Sequence, residues 1–465
     1  AGSVWAARRG RDLKKRRRWG FSMALVDTRW QRTVTLCALY FAQGIPWGFM
    51  LISLPSFLSY NYQIPDTDIG NLKAIILIHW SFKLIWAPLM DSFTIRSMGR
   101  RRPWIIGSEL MMALTLLGFI GIADPSQELK FILYMYFLHN CFASLQDVCT
   151  DALAVDILPP REQGRTNGLM WASKLIGKGV GAWSLSHIIN VWGLEACAVV
   201  QVLLLLAIML VPIVFLERRG EKRFPWSAGR AASTGVRSVR NPLATLGSVL
   251  RAFSLTTTWV FIVFTLAKLI GLGVNEVLSN VLYTQHLSPR WTDVEFSRAS
   301  GLYATAPIIL GAVGGGYLAD RYGRRLILSV GYIGYGAAAA IFAAFPGLWN
   351  EGWFAMSYLL SYETLAAIGS VGFLSMAMRI SWTVAAGTVF TTYMTLSNVS
   401  HVIGNWLAGP LREWLLWLQG GAADHLVSYQ WALGLAGILT VAPVFLLFLV
   451  KTGEVDRARA AESAG

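Results

Sequence analysis

Charge is scarce in this chain. Only 14% of its 465 residues are Asp, Glu, Lys or Arg, against about 25% in an ordinary soluble domain. Acid is scarcer than base: 26 Asp and Glu stand against 40 Lys and Arg, leaving a net charge of +14. Cysteine is rarer still. Cys37, Cys141, Cys149 and Cys197 all fall in apolar stretches. Their spacing matches no zinc or redox motif, so they read as small core residues and no disulfide is required. A nucleophile elbow, a P-loop and a metal-ligand cluster are all missing, so neither an enzyme nor a cofactor or metal site is expected. The basic segment 1–19 has no apolar h-region, which argues against a cleaved signal peptide.

What fills the chain instead is apolar sequence, 55% of the residues. Runs long enough to cross about 30 Å of hydrocarbon recur along the whole length. Twelve spans are expected, at 33–58, 68–90, 103–123, 131–157, 166–190, 194–216, 256–285, 299–319, 326–346, 354–378, 383–409 and 430–450. Backbone polar groups must be satisfied inside lipid, so these are helices. Twenty Trp and fifteen Tyr suit a protein with two water–lipid interfaces. The fold expected is an all-α membrane protein of two six-helix halves. A basic arm covers 1–32, bundles cover 33–216 and 256–450, a hydrophilic linker covers 217–255 and a tail covers 451–465.

The placement of Lys and Arg sets the orientation. Most of them lie in the N-terminal arm, in the loops after even-numbered spans and in the tail; the opposite loops hold only Lys130, Arg290, Arg298 and Arg412. Both termini are therefore expected in the cytoplasm. Topology accounts for the positive charge, so nucleic acid is not needed as a partner. The basic arm is suited to anionic headgroups or is a disordered extension.

An internal repeat marks the two halves. After the second span stand Asp91 and then Gly99-Arg100-Arg101-Arg102. After the eighth stand Gly316, Asp320-Arg321, then Gly323-Arg324-Arg325. Each half thus ends its second helix in an Asp, a Gly and an Arg cluster, an internal repeat of the kind many transporter folds carry. Such a turn can pin helix ends by Asp–Arg pairing when a cytoplasmic gate is shut; a static basic turn is the plain alternative. Glycine at 177, 179 and 181, and the run 311–316, read as small faces for close helix packing.

Charge inside a span is costly and usually faces a cavity or a partner. The fourth span carries Asp147, Asp151 and Asp156; the fifth carries Lys174 and Lys178. Counted at 1.5 Å per residue, Asp151 and Lys174 lie roughly 10–13 Å deep, and Asp147 and Lys178 roughly 16–20 Å. Asp–Lys pairs between the two helices are expected. They are either structural or proton-exchanging. Asp156 sits at the helix end and is expected to join the Arg100–Arg102 cluster. Further polar groups are Gln43, His79, Lys83, Gln146, Lys268, Asn275, Glu276, Glu363, Asn398, His401 and Asn405. Lys83, Lys178 and Lys268 would suit an anionic substrate. Gln43 beside Gly44 and Pro46 marks a bend that exposes backbone or an ordinary kink.

The second copy of the repeat resembles the Gly-x-x-x-Asp-Arg-x-Gly-Arg-Arg signature of the major facilitator superfamily; the first departs, with a longer Asp-to-Gly spacing and Ser92 in place of Arg. Two segments are more particular. Phe82-Lys83-Leu-Ile-Trp86-Ala-Pro88-Leu89-Met-Asp91, followed by the Arg cluster, and Gln146-Asp147 through Asp151-Ala152 to Asp156 and Pro159 resemble the AmpG-like permease branch of that superfamily. The eukaryotic acetyl-coenzyme A transporters are similar in the same places, and siderophore-importing permeases related to the branch are an alternative. The resemblance implies a proton-coupled importer of an anhydromuropeptide-type anionic sugar–peptide, working by alternating access as a monomer in the bacterial inner membrane. It places family positions on Lys83, Asp91, Gln146, Asp147, Asp151 and Asp156; Lys174 and Lys178 lie outside the pattern. The readings that compete are a siderophore or acyl-coenzyme A carrier of the same fold, and a non-transporting membrane receptor or assembly factor.

Overall fold

Long apolar runs leave the backbone no partner but itself, and the chain answers with helices. A computed structural model of the chain describes residues 24–82, 85–86, 90, 95, 97–227, 253–381, 386–420 and 425–464. We label its helices in chain order. In the first half these are α1 (Arg29–Tyr62), α2 (Asp66–Ile78, prolonged by a 3-10 turn His79–Phe82), α3 (Arg102–Leu116) and α4 (Leu129–Ile157). One stretch, Pro160–Val214, follows and breaks at Gly193 into α5 (160–192) and α6 (194–214). The second half holds α7 (Thr256–His286), α8 (Asp293–Tyr322), α9 (Arg324–Ala344), α10 (Gly352–Ile380), α11 (Ala386–Leu418) and α12 (His425–Leu449). A last helix, α13 (Thr452–Ala464), forms where the sequence suggests only a tail.

Seven of these stretches are long and apolar enough to cross a membrane: α1, α5 with α6, α7, α8, α9, α10 and α12. By comparison α2 and α3 are short where described, and α4 and α11 carry more polar side chains. Those polar side chains turn out to face neighbouring helices.

The helices are not uniform. Pro46 sits inside α1 and cannot donate to the preceding turn, and a π-helical stretch, Phe49–Ser53, follows it. In α7 the regular helix stops at Ala267 and restarts at Ile270; the freed amide of Leu269 donates to Ser400 Oγ of α11 at 3.0 Å. A side chain thus satisfies the donor that the break releases.

Two faces can be told apart by contact. The start of α1 meets the end of α6, where the Leu25 amide donates to the Leu216 carbonyl at 2.7 Å. The start of α7 meets the end of α12, where Thr257 touches Lys451. We call this the terminal face. On the opposite, distal face the halves join: Ser59 to Thr284 at 2.7 Å, Asn280 to Ser56 at 2.8 Å, Asn190 to Asp293 at 2.6 Å and Arg412 to Asp66 at 2.5 Å.

Close backbone approach fixes the frame. A Cβ at Gly44 would lie 2.3 Å from the Lys174 carbonyl, and one at Gly181 2.4 Å from the Ile45 carbonyl. Glycine lets α1 and α5 touch backbone to backbone, and this contact sets the first cluster of the site.

Candidate functional site

The α1–α5 seam brings α4 within reach of both. Lys174 of α5 is buried; its ammonium lies 3.2 Å from Asp147 Oδ1 and donates to Gln43 Oε1 at 3.0 Å. The Gln43 amide donates to Gln146 of α4, whose own amide reaches Glu109 of α3 at 3.2 Å. Tyr40, one turn from Gln43, donates to Asp151. Four aromatic rings surround the same ammonium: Trp47 at 5.0 Å, Tyr40 and Trp171 at 5.6 Å, and Trp80 at 5.9 Å.

An Asp–Lys pair between α4 and α5 is therefore present, with one change of register. Depth alone matches Lys174 with Asp151 and Lys178 with Asp147. The structure gives Lys174 to Asp147, because α1 lies against the seam and its Tyr40 takes Asp151. Lys178 lies 5.7 Å from the Trp47 ring and within electrostatic range of Glu276 and Glu363 of the other half.

The second cluster joins the halves. His401 Nε2 of α11 lies 2.8 Å from Glu276 Oε2 of α7, with side chains 20% and 24% exposed. Lys73 of α2 donates to the Glu276 carbonyl at 2.9 Å. Lys178 of α5 and Glu363 of α10 lie within electrostatic range of Glu276. Two cations of the first half thus face two carboxylates and a histidine of the second. Asn398 of α11 adds a hydrogen bond to the Trp80 carbonyl at 3.1 Å. The arrangement can hold or release protons while it binds the halves together.

A two-fold helical architecture with ionisable groups between its halves is what the comparisons meet. The model described as Major Facilitator Superfamily matches residues 36–405. The chain belongs to the major facilitator superfamily. It is an integral membrane transporter rather than an enzyme. Among curated relatives, the anhydromuropeptide permease of Escherichia coli K12 is 23% identical over 414 residues, covering 85% of this chain and 77% of that protein. A putative transporter, AmpG 4 of Rickettsia conorii, is 25% identical over 292 residues, covering 61% of this chain and 67% of that one. Two solved structures share the fold. The nucleoside transporter NupG has a TM-score of 0.65 at 12% identity, over 90% of this chain and 98% of that chain. A bacterial homolog of the human lysosomal transporter Spinster, in an inward-facing and unoccupied conformation, has a TM-score of 0.63 at 12% identity, over 94% and 99%.

This superfamily member carries its two repeated turns on the terminal face, and they are held differently. In the first, Arg101 Nε pairs with Asp156 at 3.0 Å. Glu217, just after α6, accepts the backbone amides of Arg100 at 3.2 Å and of Arg101 and Arg102 at 2.5 Å. Arg102 is fully buried; it donates to the carbonyls of Pro212 and Met98, and its guanidinium lies 3.7 Å from Glu221. Burial raises the Glu217 carboxyl above the ordinary range. Burial and then the neighbouring Glu217 push Glu221 up to about 7. In the second turn Arg324 donates to the Ser375 carbonyl at 3.2 Å, Arg325 caps the Val450 carbonyl and Arg321 lies 5.4 Å from the Tyr322 ring. Asp320 is exposed and makes no ion pair among the described residues. The sequence expects Asp–Arg pairing across helices when a cytoplasmic gate is shut; here Arg324 and Arg325 hold backbone carbonyls instead.

Other expected residues fall in several places. Lys83 and Asp91 lie outside the described residues. Lys268 is buried inside the second half, 3.3 Å from Tyr332 Oη and 3.9 Å from the Phe373 ring centre, away from the inter-half groups. Asn275 is buried and accepts from Tyr358 at 2.6 Å. His79 is buried with its ring 4.4 Å from that of Phe137. Sequence reasoning misses Lys73, Glu109 and the Trp47–Trp80–Trp171 group. Lys73 and Glu109 carry a usable signal, each being a charge inside an apolar run. The tryptophans carry none, because their convergence depends on how α1, α2 and α5 cross.

Proposed function

We propose that this protein is a proton-coupled importer of an anionic sugar–peptide of the anhydromuropeptide type, working by alternating access. It would lie in a bacterial inner membrane, and the placement of Lys and Arg supports both termini in the cytoplasm. The observation that carries the coupling is the Glu276–His401 pair held against Lys73 of the opposite half. A carboxylate and an imidazole at an inter-half contact change partners whenever the halves separate. Loss of a cation raises a carboxylate's affinity for a proton, and its return expels the proton. Proton binding and the swing of the halves thereby favour one another. The Lys174–Asp147 pair is buried within one half and serves as framework, while exposed Asp151 remains a second exchange group. The cargo rests on the relatedness to the Escherichia coli permease along 85% of the chain. Contacts closed on the distal face and open Asp151 support an inward-facing state. Protein and substrate act one to one in this reading, with the protein a monomer. Arg101 with Asp156 and the strap after α6 would steady the cytoplasmic gate, together with Asp91 and the Arg324–Arg325 turn.

The test is uptake of a labelled N-acetylglucosaminyl-anhydromuramyl peptide into proteoliposomes, with and without an inward proton gradient. Gradient-driven uptake is expected in the native protein, and gradient-insensitive exchange in Glu276→Gln. Uptake indifferent to the gradient in both would remove proton coupling. No uptake by folded protein would remove this cargo and direct the assay to siderophores and acyl-coenzyme A.

A further inference from the structure

We propose that Trp47, Trp80 and Trp171 form a stacking subsite for a pyranose ring, so that the first half holds the saccharide of the cargo. The inference rests on the transport reading above and assigns one part of the substrate to one group of side chains.

Tryptophan in a membrane protein ordinarily settles at the lipid–water boundary. Trp47 and Trp80 do not: counted from the starts of their apolar spans at 33 and 68, at 1.5 Å per residue, they lie roughly 21 Å and 18 Å along α1 and α2. Trp171, one turn before Lys174, lies roughly 9 Å along the span of α5. The three gather around Lys174, and Trp47 and Trp80 stack with ring centres 6.4 Å apart at 30°. The ammonium needs no such surrounding, since Asp147 and Gln43 already satisfy it. The Lys174 ammonium lies over one face of each ring, and Trp171, 49% exposed, keeps ring surface free. Moreover, the Trp47 indole N–H is buried and has no hydrogen-bond partner among the described residues. A buried donor left unmet is costly, and a sugar oxygen would meet it.

Around the rings stand Gln43, Gln146, Asp147, Asp151 and Lys178. The combination suits a pyranose. Its axial C–H bonds make an apolar face that lies flat on an indole, and its rim of hydroxyl and acetamido groups takes carboxylates, amides and an ammonium.

Binding is read on purified protein by intrinsic tryptophan fluorescence, using the peptide-free disaccharide N-acetylglucosaminyl-anhydro-N-acetylmuramic acid and, separately, the free peptide. The disaccharide alone is expected to bind and to compete with uptake. Trp171→Ala should weaken it roughly tenfold, about 1.4 kcal/mol. Trp171→Phe should lose less, because a ring remains, and Trp431→Ala on α12 should lose nothing. Melting temperatures of all variants separate lost stacking from lost folding; if Trp171→Ala does not fold, Trp171→Phe against Trp171→Leu gives the same comparison. Disaccharide binding that is absent, or equal in the native protein and in every folded Trp171 and Trp80 variant, overturns the subsite. Muropeptide uptake with unchanged Trp variants would overturn the subsite alone. Disaccharide binding without muropeptide uptake would overturn the cargo reading and leave the saccharide subsite standing.

Discussion

Lys174 and Asp147 share one buried environment, so neither can be removed alone at small cost. Breaking a buried pair leaves an uncompensated charge, worth about 3–5 kcal/mol. Lys174→Met should therefore lower the melting temperature sharply, and the double variant with Asp147→Asn should recover much of the loss. Additive losses in a double-mutant cycle would show that Gln43 and the rings, not the pair, dominate. Glu221 offers a pH test outside the membrane. Its folded carboxyl titrates near 7, above the ordinary value of 4.5, so its protonated form is the one the fold favours. Its contribution is complete below about 4.5 and is lost as pH rises through 7. Hydrogen exchange over residues 216–227, corrected for intrinsic rates, should quicken between pH 5.5 and 8, and Glu221→Gln should stay protected at pH 8. Equal protection of native and variant across that range would rule the group out.

At the scale of helices, much is legible in the amino-acid pattern. Apolar run length marks each helix, and basic residues mark the loops. Legibility stops where a third helix intervenes. Consecutive spans α4 and α5 predict an Asp–Lys pair, but only the crossing of α1 decides which Asp. Glycines at 177 and 181 read as packing faces, and they are; their partners, Phe41 and Ile45 of α1, follow from no local pattern. The break in α7 leaves no mark, because Ala267, Lys268 and Leu269 contain neither Pro nor Gly. Gly44→Val should abolish folded protein in a detergent-stability assay, since even its first carbon would strike the Lys174 carbonyl. Gly314→Ala, where a Cβ meets nothing within 4 Å, should match the native protein. Comparable stability of the two variants would mean α1 and α5 can separate without loss.

The whole molecule adds a constraint that neither half holds alone. Ser59 and Thr284 belong to opposite halves and their hydroxyl oxygens are 2.7 Å apart, within the reach of a disulfide between cysteines placed there. Ser59→Cys with Thr284→Cys should cross-link on mild oxidation and stop uptake, and a reductant should restore it. Continued transport by fully cross-linked protein would show that the distal face need not open. Either single variant should transport as the native protein does.

The distal join has a texture of its own. Gly70 of α2 presses on the Asn405 carbonyl of α11, Gly409 on Thr67, and Gly179 of α5 on Gly301 of α8. At these points backbone meets backbone or a short side chain. Parting them tears little packing there, while the Arg412–Asp66 pair and the hydrogen bonds of the join must break. A joint of that kind behaves as a plain bearing, able to close tightly and still let go, and a single methyl added to either side would be grit in it.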